Sequence, residues 1–176
     1  MPMAAEMKPS AEVRAFIQAH EGLRLAVYCC PGGEWTQGWG HTKGVTADSP
    51  PITVEMAKRW LDEDLQAAAA IVRKHVRVPL EQGQFDALVS IVFNIGPGLP
   101  GVRDGIVWLK RRAGGGLATP STLLSKLNAC DYAGAEAEFH RWKYSAGKVL
   151  GGLVKRRTEE AAMFRGRNAT TTKEGI

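Results

Sequence analysis

Apolar residues recur at helical spacing along most of this chain and alternate with turn residues in one early stretch. After Pro9, Ser10 is a candidate N-cap for a helix carrying Val13, Phe16 and Ile17 on one side, which puts Glu21 at or just beyond its C-terminal end. From 22 to 42, short apolar pieces (Leu23, Leu25, Val27) alternate with Pro31, Gly32, Gly33, Gly38 and Gly40, a pattern that predicts a small twisted antiparallel sheet. Pro50 and Pro51 close a loop, and Thr53 then opens the long helix TVEMAKRWLDEDLQAAAAIVRKHV. Its acidic residues come early and Arg73, Lys74 and His75 come late, as the helix dipole favours.

Beyond Leu80, the residues Phe85, Leu88, Val89, Val92 and Phe93 form an apolar face wide enough for a helix packed on several sides, ended by Gly96-Pro97. Residues 97 to 120 have little helical period. A short extended piece, DGIVWLK, followed by Gly114-Gly115-Gly116 suggests a mobile loop that elaborates the fold rather than building its core. Helical patterns return in STLLSKLNACDY and GAEAEFHRW, followed by a Gly-rich turn (AGKVLGGL), a basic last helix KRRTEEAAMFR and a fraying tail. The expected architecture is α+β and mostly helical, in a single domain over 1–176: a small sheet-bearing lobe at about 10–52, a linking helix at about 53–77, a helical lobe at about 78–167 and a flexible tail at 168–176.

Composition changes this picture little. The chain has 176 residues, 44% of them hydrophobic and 23% charged, as in soluble globular proteins. A formal charge of +5 favours anionic partners without choosing among nucleic acid, phospholipid and acidic cell-wall polymer. Cys29, Cys30 and Cys130 form no CxxC pair, so neither a disulfide framework nor a zinc site is indicated, and the sparse set fits a reducing compartment. His20, His41, His75 and His140 lack metal-ligand spacing, and no metal or cofactor is expected. The opening MPMAAEMKPS has no basic segment followed by a long apolar run, and no later segment approaches the ~20 apolar residues of a membrane span. The expectation is a chain made in the cytoplasm without insertion into membrane.

The chemistry concentrates in EGLRLAVYCCPGGEWTQGWGHT, residues 21 to 42. A glutamate at a helix end beside a turn-rich sheet suits a general acid, since partial burial favours the proton-bearing form. Glu21 is followed by Cys30 after eight intervening residues and by Thr36 after five more. This spacing resembles the phage-type lysozymes of glycoside hydrolase family 24, whose site is a Glu, an Asp or Cys, and a Thr at those intervals. The likeness continues through QFDALVSIVFNIG, STLLSKLNACDYAGAEAEFHRW and AGKVLGGLVKRR, and covers most of residues 12 to 165.

The resemblance implies a lysozyme-like fold and hydrolysis of the β-1,4 bond between N-acetylmuramic acid and N-acetylglucosamine in peptidoglycan, with Glu21 protonating the leaving oxygen. It implies cleft positions for Phe93 and Asn94, a basic residue near the catalytic glutamate in Arg157, and a structural role for His41 after Gly40. It also implies an endolysin that depends on a separate holin to leave the cytoplasm and reach the wall, acting as a monomer on glycan strands. Cys30 stands where many relatives carry a carboxylate, and three roles are open to it: thiolate base or nucleophile, polar placeholder beside a water held by Thr36, or bystander. An ordinary thiol is mostly protonated at neutral pH and needs a nearby cation to act.

Two rivals follow. A lytic transglycosylase needs one acid/base glutamate, because the sugar's 6-hydroxyl attacks and leaves a 1,6-anhydro product; Thr36, placed to hold water, favours hydrolysis. The runs Lys110-Arg111-Arg112 and Lys155-Arg156-Arg157 raise nucleic-acid binding, but no recognised nucleic-acid motif accompanies them, and a solvated basic face attracted to anionic wall is the simpler reading. Trp35, Trp39, Trp60, Trp108 and Trp142 supply at most one or two sugar-stacking residues; spaced aromatics are more often core.

Overall fold

The structure is a computed structural model that describes residues 1–30, 33–99, 103–108, 119–145 and 147–166. The Gly114–Gly116 loop, the Lys110–Arg112 run and the 168–176 tail lie outside the described residues. Helix α1 (Ala11–Glu21) starts where Ser10 Oγ accepts from the Glu12 and Val13 amides, and it buries Val13 and Ile17. It stops because Gly22 takes a φ of +67°, a left-handed conformation open to glycine, so Glu21 is the last helical residue. Strands β1 (Arg24–Cys29) and β2 (Trp35–Gly38) pair antiparallel, with Tyr28 opposite Thr36 and Cys29 opposite Trp35.

Helix α2 (Val54–His75) is capped by the Thr53 hydroxyl and, at 22 residues, runs roughly 33 Å. It carries β2 at one end: a Cβ on Gly38 would sit 3.5 Å from Ala57 Cβ, in ordinary van der Waals contact, so strand and helix lie directly side by side. Helix α3 (Gln82–Ile95) opens on a capping box between Glu81 and Gln84, and every residue from Phe85 to Val92 is buried. That is the helix packed on several sides that the apolar face predicted. Truncating a side chain such as Phe85 there costs about 3–5 kcal/mol.

Helices α4 (Thr122–Asn128) and α5 (Tyr132–Glu138) follow, then a 3-10 turn at Phe139–Arg141 and a two-residue hairpin of β3 (Tyr144–Ser145) and β4 (Lys148–Val149). The last helix, α6 (Gly151–Phe164), begins four residues before the Lys155 start expected from the basic pattern. It crosses α3 closely: a Cβ on Gly83 would lie 2.6 Å from the Met163 carbonyl oxygen.

One region departs from expectation. Ile106 and Val107 are core residues, not part of a peripheral elaboration. They are drawn in because the Gly98 and Gly105 backbones approach so closely that a Cβ on Gly105 would overlap Gly98. The first residues also dock: Ala4 and Met7 are buried, the Leu80 amide donates to the Pro2 carbonyl, and Arg73 Nη1 donates to the Met7 carbonyl. The lysozyme-like expectation of a small sheet lobe, a long linking helix and a helical body matches the observed element order.

Candidate active site

Three elements bring the site together. The end of α1 supplies Glu21, the turn after β2 supplies Gly40, and α6 crosses beneath with Arg156. Arg156 Nη1 donates to Glu21 Oε1 at 2.5 Å, and the glutamate side chain keeps 23% of its surface exposed. The other carboxylate oxygen points at Gly40: a Cβ there would sit 3.6 Å from Glu21 Oε2 and 4.0 Å from Phe93 Cε1. Gly40, at φ +91°, therefore lets backbone approach the carboxylate with no side chain interposed.

The turn that holds Gly40 is pinned from both sides. Gln37 and His41 exchange backbone hydrogen bonds, and Gln37 Nε2 donates to the Leu25 and Pro50 carbonyls. The buried His41 ring stacks on Trp60, with Nδ1 at 2.7 Å from Asp64 Oδ2 and Nε2 at 3.0 Å from the Lys43 carbonyl. These contacts are architectural: they tie the turn to α2 and leave no ring nitrogen facing Glu21. Next to the turn, a groove of about 230 Å³ runs along α2 and α3, lined by Gly40, Thr42, Lys43, Asp64, Ala67 and Phe93, among others. Small side chains on α2 make its floor and Phe93 one wall, and Thr42, Lys43 and Asp64 bring polar groups to it.

Thr36 and Cys30 meet at one atom. The Cys30 amide donates to the Glu34 carbonyl at 2.9 Å, and the Thr36 hydroxyl donates to the same oxygen at 3.1 Å. With its proton so committed, Thr36 Oγ1 has only lone pairs to offer a further partner. Cys30 is half-buried and, like Cys29 and Cys130, is not in a disulfide. On β1, near Glu21, Tyr28 has its hydroxyl pushed above its ordinary range by burial; Arg24 opposes that shift, and Glu21 and Cys30 add to it.

Behind Glu21 lies a charged cluster that the sequence reading missed. Glu160, fully buried on α6, accepts from Ser90 Oγ at 2.7 Å, Arg156 Nε at 3.2 Å and Arg157 Nη2 at 3.1 Å through its Oε1. Its Oε2 makes an ion contact with Arg157 Nε at 2.7 Å without hydrogen-bond alignment. Burial pulls the Arg157 guanidinium down to about 10, and Glu160 is the main charge opposing that fall. Burial pushes the Glu160 carboxyl up, against the pull of both arginines and of Ser90.

The expected residues thus separate. Glu21, Gly40 and Phe93 converge at the mouth of the groove, and Thr36 and Cys30 share an acceptor on the adjoining strands. Asn94 turns away from that groove and accepts from Arg157 Nη2 at 3.0 Å. The direct ion-pair partner of Glu21 is Arg156; Arg157, expected near the glutamate, is within its electrostatic reach and braces Glu160 and Asn94. Glu160 had a visible signal in its i, i+4 spacing from Arg156, as did Ser90 in its place within the apolar run LVSIVF. Among the described residues, no group of three His, Cys, Asp or Glu side chains is arranged to hold a metal ion.

The phage lysozyme family model matches residues 18–160. An endolysin of Acyrthosiphon pisum secondary endosymbiont phage 1 is 42% identical over 154 residues, covering 84% of this chain and 91% of that protein. In structure, a point mutant of P22 lysozyme superposes with a TM-score of 0.65 at 34% identity, over 90% of this chain and 99% of that one. The muramidase domain of SpmX from Asticaccaulis excentricus superposes with a TM-score of 0.70 at 29% identity, over 90% and 98% of the two chains. With the family model spanning Glu21 through the α6 cluster, and a relative of this identity matched over nearly its whole length, the chain belongs to the phage lysozyme family.

Proposed function

We propose that this protein is an endolysin that cleaves the β-1,4 bond between N-acetylmuramic acid and N-acetylglucosamine in peptidoglycan, with Glu21 as the general acid. The observation that carries the reading is Glu21 itself, at the end of α1, with one carboxylate oxygen held by Arg156 and the other directed over Gly40 at the mouth of a groove walled by Phe93. A glycan lying over Gly40 excludes water from the carboxyl, and desolvation favours a carboxyl's neutral, proton-bearing form. That proton passes to the glycosidic oxygen as the bond to the anomeric carbon breaks.

Water completes the reaction on the other side of the sugar. Because Thr36 gives its own proton to the Glu34 carbonyl, a water at Thr36 donates to Oγ1 and turns a lone pair toward the anomeric carbon; once its oxygen bonds that carbon the water's surplus proton passes to bulk solvent, from which Glu21 is reprotonated. Cys30 borders this position through the Glu34 carbonyl oxygen that it shares with Thr36. The enzyme acts as a monomer on glycan strands and reaches them when a holin or another agent opens the inner membrane.

The test is mass spectrometry of soluble fragments released from purified peptidoglycan by the wild-type protein and by Glu21→Gln. Reducing N-acetylmuramic acid ends, absent from the Glu21→Gln sample, support hydrolysis. Ends of the 1,6-anhydro type mean transglycosylation and remove the role given to Thr36, and no fragments from the wild type refute the assignment.

A further inference from the structure

Glu21 raises a difficulty that the charged cluster resolves. An acid must carry its proton, and Glu21 touches Arg156 while Arg157, next on α6, feels its charge, so two guanidinium groups stand near this carboxyl. The fully buried Glu160 is the counter-charge. Its contacts among the described residues are all donors: the Ser90 hydroxyl, Arg156 Nε and two nitrogens of Arg157. Arg156 Nη2 and Arg157 Nη1, both buried, have no hydrogen-bond acceptor among the described residues, so the cluster is short of acceptors and Glu160 stands as a carboxylate.

We infer that Glu160 is a positioning residue for the reaction proposed above: it fixes the Arg156 fork between α1 and α6 and cancels one of the two arginine charges behind Glu21, so that the acid proton is retained. Arg156 is well shaped for this, because its planar guanidinium spans both carboxylates with different nitrogens, Nη1 to Glu21 and Nε to Glu160. Ser90 on α3 fixes Glu160 in turn, and Asn94, one helical turn on, fixes Arg157. Both come from the same buried helix, which makes the charge arrangement as rigid as the core.

Among the described residues, most other ionisable groups on the elements packed around the cluster have partners of their own. On the α1 side, His20 pairs with Glu159 at 2.7 Å, and Lys155 lies 3.9 Å from the same Glu159. On α3, Asp86 accepts from Ser10 and Gln82. From α5 and the following turn, Glu136 binds Arg165, Glu138 binds Lys126 and Arg141, and His140 is exposed. Tyr28, with Cys30 and Arg24 nearby, faces Glu21 from β1.

The experiment is the pH profile of kcat/KM for solubilising purified peptidoglycan, whose alkaline limb marks loss of the catalytic proton. Removing the negative charge with Glu160→Gln moves that limb to lower pH by about one unit, the size expected for one neighbouring charge. Removing a positive charge with Arg157→Gln moves it the opposite way, and the double variant returns it toward the wild-type position. A merely structural role lowers activity without such opposed shifts. Should Glu160→Gln fail to fold, the upward shift in Arg157→Gln and the restored limb in the charge-balanced double variant carry the same test. Limbs that stay in place, or move the same way in both single variants, overturn the inference while leaving the hydrolase reading intact. A wild-type protein that releases no fragments overturns both.

Discussion

Gly40→Ala separates the chemistry of the site from its stability. At φ +91° an alanine is strained by about 2 kcal/mol, and in a chain of this length each kcal/mol lowers Tm by about 2–4 °C, so a loss of about 4–8 °C follows. The added methyl collides with nothing in the protein: its nearest neighbours are Glu21 Oε2 at 3.6 Å and Phe93 Cε1 at 4.0 Å, ordinary contact distances. It does occupy the face on which a sugar must approach the acid. Displacing substrate by about 1 Å costs about 100-fold in rate, so kcat/KM should fall by about that factor. Gly44→Ala is the matched control, since Gly44 has a φ of +75° with nothing within 4 Å. It should lose similar stability and keep kcat/KM within about twofold. Thermal unfolding followed by circular dichroism, with release of reducing ends from purified peptidoglycan, measures both quantities. Equal Tm losses with equal, near-wild-type activities would refute the placement of substrate over Gly40.

Other substitutions test other links. Glu21→Gln should lower the release of reducing ends by about 100- to 10,000-fold, the range for losing a general acid; Thr36→Ala should impair it strongly, Cys30→Ser less, and Cys30→Asp should remain active. A Cys30→Ser protein that folds but is inactive would make the thiol essential. Asp86 tests linkage: burial raises its carboxyl above the ordinary 3.8, against hydrogen bonds from Ser10 and Gln82, so its stabilising contribution is complete below that value and is lost as pH rises through the raised folded value. Asp86→Asn keeps an oxygen for both donors and should flatten this part of the stability profile with no loss of Tm at neutral pH; a lower Tm there would refute the burial argument. Gly83→Ala, which drives a methyl to 2.6 Å from the Met163 carbonyl oxygen, should cost about 1–3 kcal/mol by urea unfolding. Gly152→Ala, on the exposed start of α6 with open space around it, should gain up to about 1 kcal/mol in the same assay.

Features written in local chemistry are legible in the amino-acid sequence: the Ser10 and Thr53 caps, the apolar run from Phe85 to Val92, and the turn residues around Gly38 and Gly40. Features that depend on how helices rotate against one another are not. Arg156 and Arg157 are adjacent, but successive residues of a helix point about 100° apart, so only the true start of α6 at Gly151 and its crossing with α3 decide which one meets Glu21. The β3–β4 hairpin has two residues per strand, too few to show a period. Ile106 and Val107 lie in a glycine-rich stretch whose composition reads as loop, and their burial follows from a backbone crossing at Gly98 and Gly105 that no pattern of side chains announces.

The placement of polar residues in α3 and α6 makes best sense when the two helices are taken together. Burying a guanidinium or a carboxylate costs several kcal/mol, and well-packed apolar residues of similar volume would often stabilise a core more. Yet α6 turns Arg156, Arg157 and Glu160 inward, and α3 meets them with Ser90 and Asn94 one turn apart, on the face that carries the buried Asp86 a turn earlier. Each of these groups binds another member of the set, and the chain of contacts leaves the interior at Glu21, through Arg156. A cluster built only for stability would have no reason to end on the carboxylate at the mouth of the groove. Its position is accounted for by the requirement that this carboxylate be held in a fixed orientation and in a fixed balance of charge, which a rigid, fully enclosed set of ions supplies and an apolar core cannot.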